Sequence, residues 1–254
     1  MPISLTEALA AIDRVDPVQP RTIELAGAVG LTLANDAVAG GVKLRLAGAR
    51  LRRIDIAQLS GAGVESVKVR VPRILIVSSA VTESTRAMIR GAIESEGGGA
   101  LETNSPQAAS KKEDFDAAIG FGDRRIGRFV FDGIALSPGG GIAFGAVDAR
   151  PLMVLPSDFG GGLAAWLAVG RRLFARLAFR LIEEQPYFLE LARPIISKRG
   201  VAEIVAVRRR AAQAEPLAGE WTADTIARAD GWILVPAESE GLAAGARVQM
   251  RPWP

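Results

Sequence analysis

The sequence predicts an α/β protein: an N-terminal α+β region, a central run of strands alternating with helices, and a small β-rich C-terminal module. Three observations predict it. Short continuous apolar runs at 74–77 and 152–155 end in small or polar residues and are separated by a segment of helical periodicity, as expected of strands buried on both faces. The charge balance changes from two basic against five acidic residues over 1–40 to eight against two over 41–73. Pro186 then stops a long amphipathic segment, and the chain turns β-rich. These breaks predict domains at 1–72, 73–186 and 187–254.

The elements follow in order. Ser4 and Glu7 have capping-box spacing, and Leu5, Ala8, Leu9 and Ile12 share one helical face, so a helix is predicted over 5–15. Residues 22–25 alternate like a strand. Residues 26–37 read as a short helix broken by Gly30, 53–60 as a helix stopped by Gly61 and Gly63, and 66–71 as a strand. After the strand at 74–77, Met88, Ile89 and Ile93 place a helix over 82–96, ended by Gly97–Gly99. A loop at 104–114 follows, then strands at 115–119, 134–136 and 152–155. The amphipathic helix is predicted over 163–183. Residues 195–207 read as two strands turning at Lys198–Gly200, then a helix at 222–229 and strands at 232–235 and 247–250.

Composition excludes much chemistry. The 254 residues contain no cysteine and no histidine. Disulfides, thiolate metal sites, imidazole bases and Ser-His-Asp or Cys-His mechanisms are therefore absent. A net charge of +3 and 6% aromatic residues give no reason to expect a nucleic-acid partner. The N-terminus is acidic and amphipathic, unlike a signal peptide. Arg171, Arg172, Arg176 and Arg180 cut the longest apolar stretch below spanning length. The expectation is a cytoplasmic protein with no membrane contact.

The candidate site rests on a coincidence of ends. Four predicted strands finish at Ser78-Ser79, at Gly120–Asp123, at Ser137–Gly141 and at 156–162. Ligands of open α/β sheets bind outside the carboxyl ends of the strands. The candidate ligand-binding residues are Ser78, Ser79, Gly120, Gly122, Asp123, Ser137, Gly139, Gly140, Ser157 and Asp158. Asp158 stands at a helix start, where its charge opposes a bound anion and its side chain suits an N-cap. Glu83, Asp116, Asp123, Asp132 and Asp158 are the nearby carboxylates. No pair among them has a spacing that names an acid and a base, so no catalytic residue and no metal ligand is assigned. The basic cluster of 41–73 reads either as a solvated face or as an electropositive wall.

The order of segments resembles the molybdopterin molybdenumtransferase family, the bacterial MoeA proteins and the C-terminal domain of gephyrin. SLTEALAAIDRVDP and IELAGAVGLTLANDAVA are similar to the family's opening. GARLRRIDIAQLSGAGVESVKVRVPRILIVSS is similar to the passage into its third domain. IALSPGGGIAFGAVDARPLMVLPSDFGGGLAAW resembles its "PGKP" and "LPGNP" region, and IARADGWILVPAESEGLAAGARVQM its last domain.

That resemblance implies an elongated N-terminal α+β domain, a central three-layer α/β/α molybdopterin-binding-like domain and a small C-terminal β-barrel-like domain. It also implies a short divergent member, because the family's inserted second domain is missing at about 39–41. Val81 and Thr82 stand where the family has an acidic pair, and Gly140 where it has a lysine. The implied ligand is molybdopterin or adenylylated molybdopterin, with Mg and molybdate needed only for an active enzyme. The implied partners are a second copy, forming a homodimer, and other molybdenum-cofactor proteins. The residues favour a catalytically degenerate protein of molybdenum-cofactor biosynthesis or handling that acts by binding molybdopterin or a partner. An active transferase with an altered site and a dimeric scaffold that binds no pterin are the alternatives.

Overall fold

A computed structural model of the chain describes residues 2–78, 81–105, 114–181, 186–217 and 219–253. Among these residues the strands form five separate sheets, one of which closes into a five-stranded barrel.

The first helix, Leu5–Ile12, begins at the capping box. Ser4 accepts the Glu7 N–H, and the Glu7 carboxylate accepts the Ser4 N–H at 2.8 Å. Ala8 and Ile12 are fully buried, in one core with the central sheet. Strands Arg21–Glu24, Ser66–Arg70 and Thr32–Leu33 form a small antiparallel sheet. Its Val67 and Val69 pack on Leu25, Leu33 and Leu51, and on Leu59 of the Arg53–Gly61 helix. The helix predicted at 26–37 is one 3-10 turn, Leu25–Ala28, followed by strands Thr32–Leu33 and Ala37–Ala39. Pairing of Thr32 and Leu33 with Arg70 and Val69 overrides the local helical pattern. Ala37–Ala39 pairs with Val42–Arg45 so that Ala39 faces Val42. Gly40 and Gly41, at φ +57° and +78°, are the whole turn, both in the conformation a two-residue hairpin requires.

The central sheet orders its strands Gly99–Thr103, Arg73–Val77, Ala117–Phe121, Arg150–Leu155, Ala143–Val147 and Arg128–Asp132. The first four run parallel; Ala143–Val147 runs against them, and Arg128–Asp132 pairs antiparallel with it and so runs the same way as the first four. Ile74 and Ile76 face the layer holding Ile89, Ile93, Leu163 and Phe174 of the helices Glu83–Ser95, Phe159–Ala165 and Arg171–Ala178. Leu75 and Val77 face the other way, onto Phe115, Leu152 and Val154. Among the described residues only the first face carries helices, so the implied third layer is not seen there; residues 106–113, most of the predicted loop, lie outside them.

Several expectations need correction. The third predicted strand is Leu136–Ser137, and it joins the barrel sheet instead, running parallel to Ala202 and Glu203. The strand predicted at 115–119 is Ala117–Phe121, which draws Gly120 into the sheet. The long helix runs from Phe159 through a π-helical turn, Trp166–Gly170, to Ala178. It ends on Phe179 at φ +52°, before Pro186; residues 182–185 lie outside the described chain.

In the barrel, Ala202–Arg210, Gln213–Pro216, Tyr187–Leu191, Arg247–Pro252 and Gly231–Val235 pair in turn, and the last returns to the first. Leu189, Val207, Ile233 and Met250 fill its interior. Ile195–Ile196 pairs with Gly241–Leu242, so no hairpin turns at Lys198–Gly200. No described helix is long and apolar enough to cross a membrane.

Candidate functional site

The carboxyl edge of the central sheet gathers part of the expected site. Val77 pairs with Gly120, and Leu155 with Phe121, so Ser78, Gly122 and Ser157 leave adjacent strands side by side. The Gly122 N–H donates to the Leu155 carbonyl at 3.0 Å. A Cβ on Gly122, at φ +64°, would lie 3.8 Å from the Ser157 hydroxyl. Ser78 is half-buried, and its hydroxyl bonds the Asn104 side chain at 2.7 Å. Ser79 lies outside the described residues. Gly120 lies under the Ile126 side chain, which a Cβ there would overlap, so it faces packing rather than a ligand.

The carboxylates at this edge are all engaged. Asp123 makes a two-point pair with Arg125, at 3.0 Å on each oxygen. That hydrogen bonding holds its carboxyl below the usual value. Asp132 accepts from Arg124 at 2.8 Å and Glu83 from Arg86 at 2.9 Å, whereas Asp116 stands at the amino edge, where it accepts the Arg73 N–H at 2.7 Å. Asp158 caps the helix that follows it, accepting the Gly161 N–H at 2.7 Å. Among the described residues no group of three or more Asp or Glu side chains is placed to hold a metal ion.

Ser137, Gly139 and Gly140 sit elsewhere, because their strand belongs to the barrel sheet. A Cβ on Gly139 would lie 2.8 Å from the Ala165 backbone nitrogen, and one on Gly140 2.8 Å from the Ile134 carbonyl oxygen. Both glycines serve close backbone packing. Ser137 and Asp158 instead line a cleft of about 1100 Å³ between the start of the Phe159–Ala165 helix and the barrel. Arg193, Glu203 and Trp221 are among the other residues of its wall. No local signal in the sequence marks these three, which come from loops and strands of the C-terminal module.

In the basic cluster Lys43, Arg50, Arg52, Arg53 and Lys68 are exposed, and Arg45, Arg70 and Arg73 are half-buried. Several members also act as clamps. Arg45 and Arg52 hold the buried Asp55, Arg70 donates to the Val18 and Ala34 carbonyls, and Arg50 donates to the carbonyls of Gly30 and Ser95. Burial raises the Asp55 carboxyl, but the bonds from Arg52 and Arg45 outweigh it and leave it far below the ordinary range.

No protein-family model matches the chain. A curated relative, a putative molybdopterin biosynthesis protein of Methanocaldococcus jannaschii, is 28% identical over 129 residues. Those residues are 50% of this chain and 30% of that protein, so the match spans under a third of the curated relative. Among solved structures, a molybdenum cofactor biosynthesis protein from Pyrococcus furiosus superposes with a TM-score of 0.88 at 20% identity, covering 100% of both chains. A molybdopterin biosynthesis MoeA protein from Pyrococcus horikoshii gives 0.87 at 14%, again over 100% of both. The fold is the MoeA fold. After the Arg73–Val77 strand, Val81 is half-buried against the core, and the Thr82 hydroxyl caps the Glu83–Ser95 helix through the Thr85 N–H. Neither supplies a charge to the sheet edge.

Proposed function

We propose that this chain is a MoeA-like protein of molybdenum-cofactor biosynthesis or handling that binds molybdopterin or its adenylylated form and has lost efficient molybdenum insertion. The observation that carries the reading is the state of the sheet's carboxyl edge. Ser78, Gly122 and Ser157 lie beside one another there, with two serine hydroxyls among them, while Asp123, Asp132, Glu83 and Asp158 are each tied to an arginine or a backbone N–H. Serine hydroxyls can donate to a pterin phosphate without any charged side chain. Moving metal and phosphate charge needs preorganised acidic and basic side chains. Val81, Thr82 and Gly140 stand where the resemblance sets the family's own charged groups.

We place the chain as a cytoplasmic homodimer of three domains, with limits near 72 and 186. Val38, Val42, Leu46 and Leu181 support the dimer: they are large apolar side chains left exposed on the N-terminal part of the molecule and the end of the long helix. A partner surface would cover them. The test of the binding claim is retention of molybdopterin by the purified protein through gel filtration, read by pterin fluorescence after oxidation. Stoichiometric retention supports the reading. Elution without pterin overturns it in favour of a scaffold.

A further inference from the structure

Glu203 brings a carboxylate into the cleft between the Phe159–Ala165 helix and the barrel. It lies on the strand Ala202–Arg210, where successive side chains alternate between the two faces. Val205 and Val207 fill the barrel interior, so Glu203, two residues before Val205, stands on that face at the barrel's mouth. Its register partner across the parallel ladder is Ser137, which sets a hydroxyl beside the carboxylate. Glu203 is half-buried and Ser137 exposed. Among the described residues no hydrogen bond or ion pair reaches the Glu203 carboxylate or the Ser137 hydroxyl.

The other charged groups of the wall are engaged or outlying. Asp158 caps its helix. Arg193 donates to the Pro216 carbonyl at 2.7 Å and lies 3.9 Å from Glu215. Glu220 is exposed. Phe159, Ile195, Ile196 and Trp221 give the cleft apolar surface, and Ile196 is left 90% exposed. The volume, about 1100 Å³, is that of pockets that take whole small molecules, roughly 300–1,000 Å³. Ser84, in the first turn of the Glu83–Ser95 helix, and Asp158 both lie just beyond the carboxyl ends of central strands and both line the cleft. The cleft therefore opens along the same edge as Ser78, Gly122 and Ser157.

We propose that the cleft binds a planar heterocycle with a 2-amino-4-oxopyrimidine edge, the chemistry shared by a pterin and a guanine base. That edge presents two adjacent N–H donors and then a carbonyl oxygen. A carboxylate accepts both donors at once, and a neighbouring hydroxyl donates to the carbonyl. Glu203 and Ser137 supply those groups from adjacent strands. Adenine presents a ring acceptor beside its amino group, so a lone pair meets the carboxylate and the match fails. Phe159 and Trp221 supply aromatic surface for the ring system. The inference rests on the pterin reading for the phosphate at the serine edge, and deepens it by assigning the residues that read the ring.

The test is calorimetry of the purified protein with guanosine monophosphate (GMP), 6-carboxypterin and AMP. The expected result is saturable binding of GMP or 6-carboxypterin, with AMP weaker by roughly tenfold or more. Glu203→Gln keeps the size and removes one acceptor; it should weaken GMP or 6-carboxypterin by about the same factor and leave AMP unchanged. Glu190→Gln, exposed on a barrel strand and outside the cleft wall, should bind as wild type. If Glu203→Gln does not fold, Ser137→Ala reads the same edge from an exposed side chain and should weaken the same probes. Binding of 6-carboxypterin alone identifies a pterin, of GMP alone a guanine nucleotide, and of both the shared edge; each supports the site. Molybdopterin lost on gel filtration while GMP still titrates removes the pterin reading and keeps this site for guanine. Molybdopterin retained while GMP and 6-carboxypterin bind no better than AMP removes this proposal and leaves that reading. No binding of either probe, or binding unaltered in the folded variant, also overturns it.

Discussion

The Asp158 carboxylate accepts the Gly161 N–H at 2.7 Å, so the one acidic residue at the start of the long helix spends itself on capping that helix. Asp158→Ala should cost about 1 kcal/mol of stability, the usual loss for an N-cap. Asp158→Asn keeps the acceptor and removes the charge. It should unfold within a few tenths of a kcal/mol of wild type and bind molybdopterin more tightly. Urea titration and pterin retention check the two halves. Equal stability of the alanine variant would remove the capping role.

Glu96 is buried between Arg171 and Arg180, with its carboxyl nearly inaccessible. Burial pushes its pKa up, but the two guanidinium charges prevail and hold it below the usual 4.5. A depressed carboxyl stabilises fully above its unfolded pKa, and that stability is lost as pH falls through the folded value. Wild type should therefore lose stability below about pH 4.5, and Glu96→Gln should lose less over the same range. At pH 7, Glu96→Ala should cost about 3–5 kcal/mol, because it takes the carboxylate away from the buried Arg180 guanidinium. Urea midpoints at pH 7 and pH 4 decide it; parallel losses in wild type and Glu96→Gln would exclude the linkage.

Two glycines should respond in opposite directions to alanine. Gly160 lies so close to Trp221 that a Cβ would overlap the Trp221 carbonyl oxygen and Cβ. Gly160→Ala should cost roughly 1–3 kcal/mol and shift tryptophan fluorescence as that side of the cleft moves. Gly91 is exposed within the Glu83–Ser95 helix, and a Cβ there meets nothing within 4 Å. Gly91→Ala should stabilise by about 0.8–1 kcal/mol. Thermal unfolding of the pair checks both signs.

The fold was readable where local chemistry decides. The Ser4–Glu7 box and the caps at Thr82, Asp158 and Thr222 all start helices, because a cap is written within four residues. It was unreadable where distant pairing decides. Leu136–Ser137 has a strand's composition, but only Ala202 and Glu203, more than sixty residues on, fix the sheet it joins. Ile195–Ile196 is likewise claimed by Gly241–Leu242. The strands Arg128–Asp132 and Ala143–Val147 went unseen. Their pairing carries a bulge at Gly145, where any Cβ would strike the Arg128 carbonyl. The same division holds at the candidate site. Ser78, Gly122 and Ser157 follow from strand ends, whereas Arg193, Glu203 and Trp221 reach the cleft only through the tertiary fold.

The exposed apolar side chains of the N-terminal part predict self-association. Sedimentation at micromolar concentration should give a dimer, and Leu46→Glu, which places a charge on a side chain already 52% exposed, should give a folded monomer. A wild-type monomer at that concentration would contradict the dimer.

The most direct test of the central claim is molybdenum insertion itself. Purified protein is supplied with adenylylated molybdopterin, molybdate and a divalent metal, and the product is assayed by reconstitution of an apo-molybdoenzyme. Loss of one preorganised charge contact typically costs roughly 2.7–4 kcal/mol of transition-state stabilisation, a factor of about 10²–10³. If Val81, Thr82 and Gly140 stand where the resemblance sets the family's charged groups, the predicted result is pterin bound to the protein and insertion at least a hundredfold below that of a complete MoeA protein. Insertion within tenfold of that protein would contradict the account and make this chain an active transferase.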